Sequence, residues 1–123
     1  MIGLRLLIAI LGLTVIGAGG WLLSPPGQRL LADPANAAPE FGVDVVDIPD
    51  SGFVPSVVSV PVGTTVTWTF TDETAHNVVF DDGPASEVIA RGGSWKRTFD
   101  VPGNYPYSCT LHTRMDGRVL VTG

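Results

Sequence analysis

Tyr105-Pro106-Tyr107-Ser108-Cys109-Thr110-Leu111-His112-Thr113-Arg114-Met115-Asp116-Gly117-Arg118 decides how the rest of the chain is read. Tyr105, Tyr107 and Cys109 alternate onto one face of a strand, which aims the sulfur inward at the strand's end. The spacing that follows is Cys-x-x-His-x-x-Met. The chain has one cysteine, two histidines and one methionine besides the initiator, and this loop holds one of each. Thiolate, imidazole and thioether are the soft and borderline donors that suit copper. The fourth donor would be the other histidine, His76, which lies far upstream and is followed by Asn77.

Taken singly, each of these residues is ordinary. A histidine is usually a plain polar residue, a buried cysteine behaves as a small hydrophobe, and a methionine fills gaps. Scarcity and placement together change that reading, because all four side chains fall where one end of a sandwich could gather them. Two imidazole nitrogens and a thiolate in a plane bind Cu(II) strongly, and a distant thioether from Met115 suits Cu(I). A rigid site that holds both oxidation states with little movement exchanges electrons at small reorganisation cost. Zinc is the rival ion. It takes four firm N, S or O ligands, and a methionine in the loop argues for copper instead.

Composition narrows the remaining classes. The chain has 123 residues, which suits one domain. Its net charge of −5 argues against non-specific nucleic-acid binding, which needs basic patches. From Pro39 onward, eleven acids against five bases leave −6, a balance that favours a basic partner. A lone cysteine excludes an intramolecular disulfide, and metal ligation explains its presence in an exported chain.

Residues 1–23 read as an export or membrane segment, with no charge from Leu6 to Leu23. Two readings stay open. An apolar core at 6–16 followed by Gly17-Ala18-Gly19-Gly20 fits a cleaved signal peptide. The full run to Leu23 is long enough for an uncleaved anchor, and Trp21 suits the membrane interface. The anchor is preferred because Trp21-Leu22-Leu23 extends the run. Residues 24–40 hold Pro25, Pro26, Pro34 and Pro39 with several alanines and read as a linker.

From Phe41 the pattern has period two. Val43, Val45 and Ile48 begin a strand, and residues 53–60 follow the turn Pro49-Asp50-Ser51-Gly52, with Pro55 demoting part of that run to an edge or bulge. Residues 65–70 alternate cleanly, with Val66, Trp68 and Phe70 expected in the core. A polar connection at 71–75 delivers His76. Residues 94–99 give another strand, and the last strand, 118–122, is expected to bury Val119 and Val121. About seven or eight short strands with frequent turns predict an all-β Greek-key sandwich over 41–123, preceded by the apolar N-terminal helix and the linker.

At this point the sequence resembles the cupredoxins, the type 1 blue copper proteins. His76-Asn77-Val78-Val79-Phe80-Asp81 is similar to the corresponding stretch of plastocyanins. The Cys-x-x-His-x-x-Met loop, with Gly117 and Val119 after it, is similar to the short ligand loop of amicyanins. The resemblance covers roughly residues 41–123. It implies one type 1 copper held by His76, Cys109, His112 and Met115. It also implies that the Asn77 backbone N–H donates to the Cys109 sulfur and that the Asn77 side chain ties its strand to the loop near Thr110.

One position departs from the family. Many members have proline immediately before the second histidine, where this chain has Leu111. Leucine keeps a backbone N–H that proline lacks. Pointed at the Cys109 sulfur, that group would stabilise the electron-rich Cu(I) state and raise the potential. In the family the edge of the loop histidine reaches the surface within an apolar docking patch, so His112 is expected as the electron port, with Leu111 and Val62 around it. Arg114 places a charge beside this port and would select an acidic partner; a solvated loop charge is the alternative.

The function these features imply is a one-electron shuttle between redox proteins outside the cytoplasm, in the periplasm or on the outer face of the membrane, acting as a monomer. A copper carrier or delivery module is the alternative. Such carriers favour exposed Met- and His-rich sites, and this chain has no Met or His to spare. A copper enzyme would need further histidine-rich sites, which two histidines cannot furnish.

Overall fold

The computed structural model describes residues 33–123. The expected signal or anchor segment, and the linker up to residue 32, lie outside the described residues. Nine strands form among the described residues: β1 (Glu40–Phe41), β2 (Val45–Asp50), β3 (Gly52–Val54), β4 (Val57–Pro61), β5 (Thr64–Phe70), β6 (Val79–Phe80), β7 (Ser94–Phe99), β8 (Gly103–Ser108) and β9 (Asp116–Thr122). They make two sheets, ordered β1-β4-β9-β8-β6 and β3-β2-β5-β7. The sandwich class read from the sequence is the observed one.

The alternation of β5 survives intact. Val66 and Trp68 are wholly buried and Phe70 is 1% exposed, while the threonines between them face outward. β9 likewise turns Val119 and Val121 inward. Pro55 does more than mark an edge. It splits the run 53–60 into β3, an edge strand of one sheet, and β4, an interior strand of the other. The contiguous valines of β4 are buried on both faces, as expected for a strand that pairs in parallel with both neighbours.

In β2 the inward face is that of Val46 and Ile48. Val46 and Ile48 are fully buried, whereas Val45 is 47% exposed. The reason is register. β2 pairs in parallel with β5, Val46 opposite Trp68 and Ile48 opposite Phe70. Cross-strand partners share a face, so the inward residues of β5 choose which residues of β2 turn inward.

Ahead of β1, a single 3₁₀ turn over Pro34–Asn36 is capped by Asp33, whose Oδ1 accepts from the Ala35 N–H at 2.9 Å. The turn is tied to the sandwich. Ser56 Oγ donates to the Pro34 carbonyl at 2.9 Å, and Arg118 Nε donates to the Ala35 carbonyl at 2.6 Å. The stretch 33–40, expected as the end of the linker, thus has fixed partners on β9 and on the β3–β4 connection.

Tyr107 occupies the middle of the core two residues before Cys109. Phe53, Phe80 and Trp68 surround its ring at centroid distances of 4.6, 4.9 and 5.3 Å. Its pair on β9 is Gly117. A Cβ at Gly117 would lie 2.6 Å from Tyr107 Cζ and Oη and 2.8 Å from the Ser56 carbonyl oxygen, so only glycine admits the ring. Gly117→Ala is therefore expected to destabilise the copper-free protein by about 1–3 kcal/mol in chemical denaturation, the usual cost of overpacking. An unchanged midpoint would show that the ring can move aside.

Candidate metal centre

The polar connection 71–75 is fixed before it reaches the first histidine. The N–H groups of Thr71 and Asp72 both donate to the Ile48 carbonyl, at 3.2 and 2.9 Å. His76 is then held through its backbone by Ile89, N–H to carbonyl in both directions at 3.1 and 2.8 Å. Its ring is fully buried. Nε2 lies 2.7 Å from Asp72 Oδ2, and Nδ1 lies 3.8 Å from Cys109 Sγ.

Those two contacts give the ring nitrogens different tasks. The hydrogen bond from His76 holds the Asp72 carboxyl below the usual carboxylate range. An ionised carboxylate accepts only, so Nε2 is the donor to Asp72, and Nδ1 is the nitrogen turned toward the sulfur. A carboxylate behind a ligating histidine fixes its tautomer and raises its basicity. Sequence reasoning passed over Asp72. The available signal was an acid four positions before a histidine at the start of a strand.

Cys109 follows the end of β8 and is 3% exposed. Its N–H donates to the Met115 carbonyl at 3.0 Å, closing the loop 109–115 at its base. The neighbouring residue is gripped from the other side. Asn77 Nδ2 donates to Thr110 Oγ1 at 2.9 Å, and the Thr110 N–H donates to Asn77 Oδ1 at 2.9 Å. This is the tie expected between Asn77 and Thr110, and it is reciprocal.

The loop brings His112 over His76, with ring centroids 4.6 Å apart. One ligand atom from each of His76, Cys109 and His112 falls within 4.8 Å of the others. His112 Nε2 is buried and has no hydrogen-bond partner among the described residues. A buried ring nitrogen left without a partner is costly. Two imidazoles and a thiol converging in this way, with one nitrogen unsatisfied, fit a metal that accepts N and S donors, and copper is such a metal. Met115 is buried at 1% in the same cluster as Cys109.

The outer residues of the loop face water. Leu111 is 49% exposed and the His112 ring is half-buried, and Val62, in the turn between β4 and β5, is 41% exposed. Arg114, at φ 60°, is exposed and lines one cleft with Asp33, Pro34 and Asp116.

Comparison with known proteins agrees with this geometry. A family model for the cupredoxin-like domain matches residues 13–121. The chain is 33% identical to amicyanin from Paracoccus denitrificans over 124 residues, covering 96% of this chain and 95% of that one. It is 33% identical to plastocyanin from Prochlorothrix hollandica over 116 residues, covering 84% of this chain and 81% of that one. The solved structure of a purple cupredoxin from Nitrosopumilus maritimus superposes with a TM-score of 0.60 at 29% identity, over 63% of this chain and 98% of that one. With the sandwich, the His-Cys-His cluster and these likenesses in hand, the chain is placed in the cupredoxin family.

Proposed function

We propose that this chain is a one-electron carrier built on a single type 1 copper held by His76, Cys109 and His112, with Met115 as a weak fourth ligand. The observation that carries the reading is the convergence of those three donor groups within 4.8 Å. Copper, when bound, supplies the Cu(I)/Cu(II) couple.

The chain's own residues do the rest. Asp72 holds the His76 ring from behind, Ile89 holds the His76 backbone, and Asn77 pins the loop through Thr110. Because β8, β9 and the β6 region are already fixed by the sandwich, the donors cannot rearrange to suit one oxidation state. A site that resists rearrangement transfers an electron with a low barrier.

In this proposal the backbone N–H groups of Asn77 and Leu111 would donate to the Cys109 sulfur and so favour the electron-rich state. Exposed Leu111 beside half-buried His112 supports a docking patch at which an electron enters and leaves through the imidazole edge. Both histidines are used in this one centre, so none remains to build the second copper site of an oxidase or reductase. The apolar run 6–23 supports a location outside the cytoplasm, in an oxidising compartment with redox partners. Among the described residues, no helix is long and apolar enough to cross a membrane.

The copper-loaded protein is expected to show an intense visible sulfur-to-copper charge-transfer band that Cys109→Ser removes. A colourless complex whose metal exchanges readily with a chelator would favour copper delivery over electron transfer. In voltammetry, Leu111→Pro should keep the band and lower the potential, because the substitution deletes one N–H. A potential equal to that of the unaltered protein would remove the Leu111 amide from the account.

A further inference from the structure

The 3₁₀ turn ahead of the sandwich meets the ligand loop from outside. Asp33 and Pro34 share a cleft with Arg114 and Asp116, the two residues that flank Met115. Asp33 and Ala35 line an adjoining cleft with Asp116, Gly117 and Ser108. The turn thus borders residues 114, 116 and 117, which flank Met115 in the sequence.

Its hydrogen bonds converge on the same place. Arg118 Nε donates to the Ala35 carbonyl at 2.6 Å, while the Arg118 backbone N–H donates to the Ser56 carbonyl at 2.9 Å. Ser56 Oγ in turn donates to the Pro34 carbonyl at 2.9 Å. Turn, β3–β4 connection and the start of β9 are therefore knotted by three hydrogen bonds at residues 34, 35, 56 and 118. Arg118 is three residues beyond Met115, and the residues between them leave little slack. Asp116 is paired with Ser108, Gly117 is packed under Tyr107, and the Met115 carbonyl is held by the Cys109 N–H.

A thioether is a weak, long axial ligand, and the axial ligand tunes the potential. With copper bound, a contact that weak would not set its own length, and the backbone carrying Met115 would set it. We propose that the turn 33–37 is a positioning element for Met115, acting through Arg118 and Ser56, so that this turn tunes the copper site. This rests on the copper reading above, with Arg118 and Ser56 as positioning residues that do not touch the metal.

The test uses the full chain, copper-free and copper-loaded, with Met115→Leu as the reference for complete loss of the thioether. In the copper-free protein, Arg118→Leu should speed amide hydrogen exchange at residues 116–118 by about tenfold, the effect of losing one hydrogen bond of ordinary strength. In the loaded protein, the intensity ratio of the two thiolate-to-copper bands and the potential should both move toward their Met115→Leu values. Arg118→Lys, which keeps a donor, should recover most of the shift. If Arg118→Leu fails to fold, Ser56→Ala removes a single hydroxyl and should move the same readings in the same direction. Band ratio and potential unchanged from the unaltered protein, with exchange accelerated, would overturn the proposal and leave the turn as packing alone. An unaltered protein with no thiolate band would overturn the copper reading and this proposal together, so the two failures are distinct.

Discussion

The metal centre depends on two hydrogen bonds exchanged between Asn77 and Thr110, residues 33 positions apart. Asn77 follows the histidine that enters from the first half of the domain, and Thr110 follows the cysteine of the ligand loop. Each bond contributes about 0.5–1.5 kcal/mol net, so their importance lies in geometry more than in stability. They fix where the loop begins relative to His76. Without that register, the 3.8 Å approach of His76 Nδ1 to Cys109 Sγ would have no side-chain tie to maintain it.

Around this tie, the polar and apolar parts of the molecule divide the work. Tyr107, ringed by Phe53, Phe80 and Trp68, gives Cys109 a foundation that cannot shift without disturbing the core. Gly117 exists to let that foundation stand, since any side chain there would collide with it. Asp72 serves the other side, where it accepts from His76 and so leaves the opposite nitrogen free for a metal. Rigid packing sets positions, and a few directed hydrogen bonds set protonation. A redox site with a small reorganisation cost needs both.

Much of this was legible in the sequence because it depended on local pattern. The threonine-interleaved run of β5 and the valines of β9 report directly on which way a side chain points, and the spacing of Cys109 and His112 puts both donors in one short loop. His76-Asn77 was legible for a different reason, through likeness to a known family. What escaped detection depends on pairing between distant segments. The inward face of β2 is chosen by β5, so the local run from Val43 to Ile48 does not single out Val46 as a core residue. Asp72 sits in a polar connection among other acids and threonines, where no period distinguishes the residue that reaches the histidine. The turn at residues 33–37 reads as linker because its proline and alanines carry no pattern, and its partners Ser56 and Arg118 lie 22 and 83 positions away.

The claim at the centre of this account is that one thiolate and two imidazoles, gathered from both halves of the chain, bind the same ion. X-ray absorption at the copper edge of the loaded protein measures it directly. The account predicts a first shell of two nitrogens and one short sulfur, with the short sulfur lost in Cys109→Ser and one nitrogen lost in His76→Ala. A shell of nitrogen and oxygen alone, unaltered by either substitution, would contradict it.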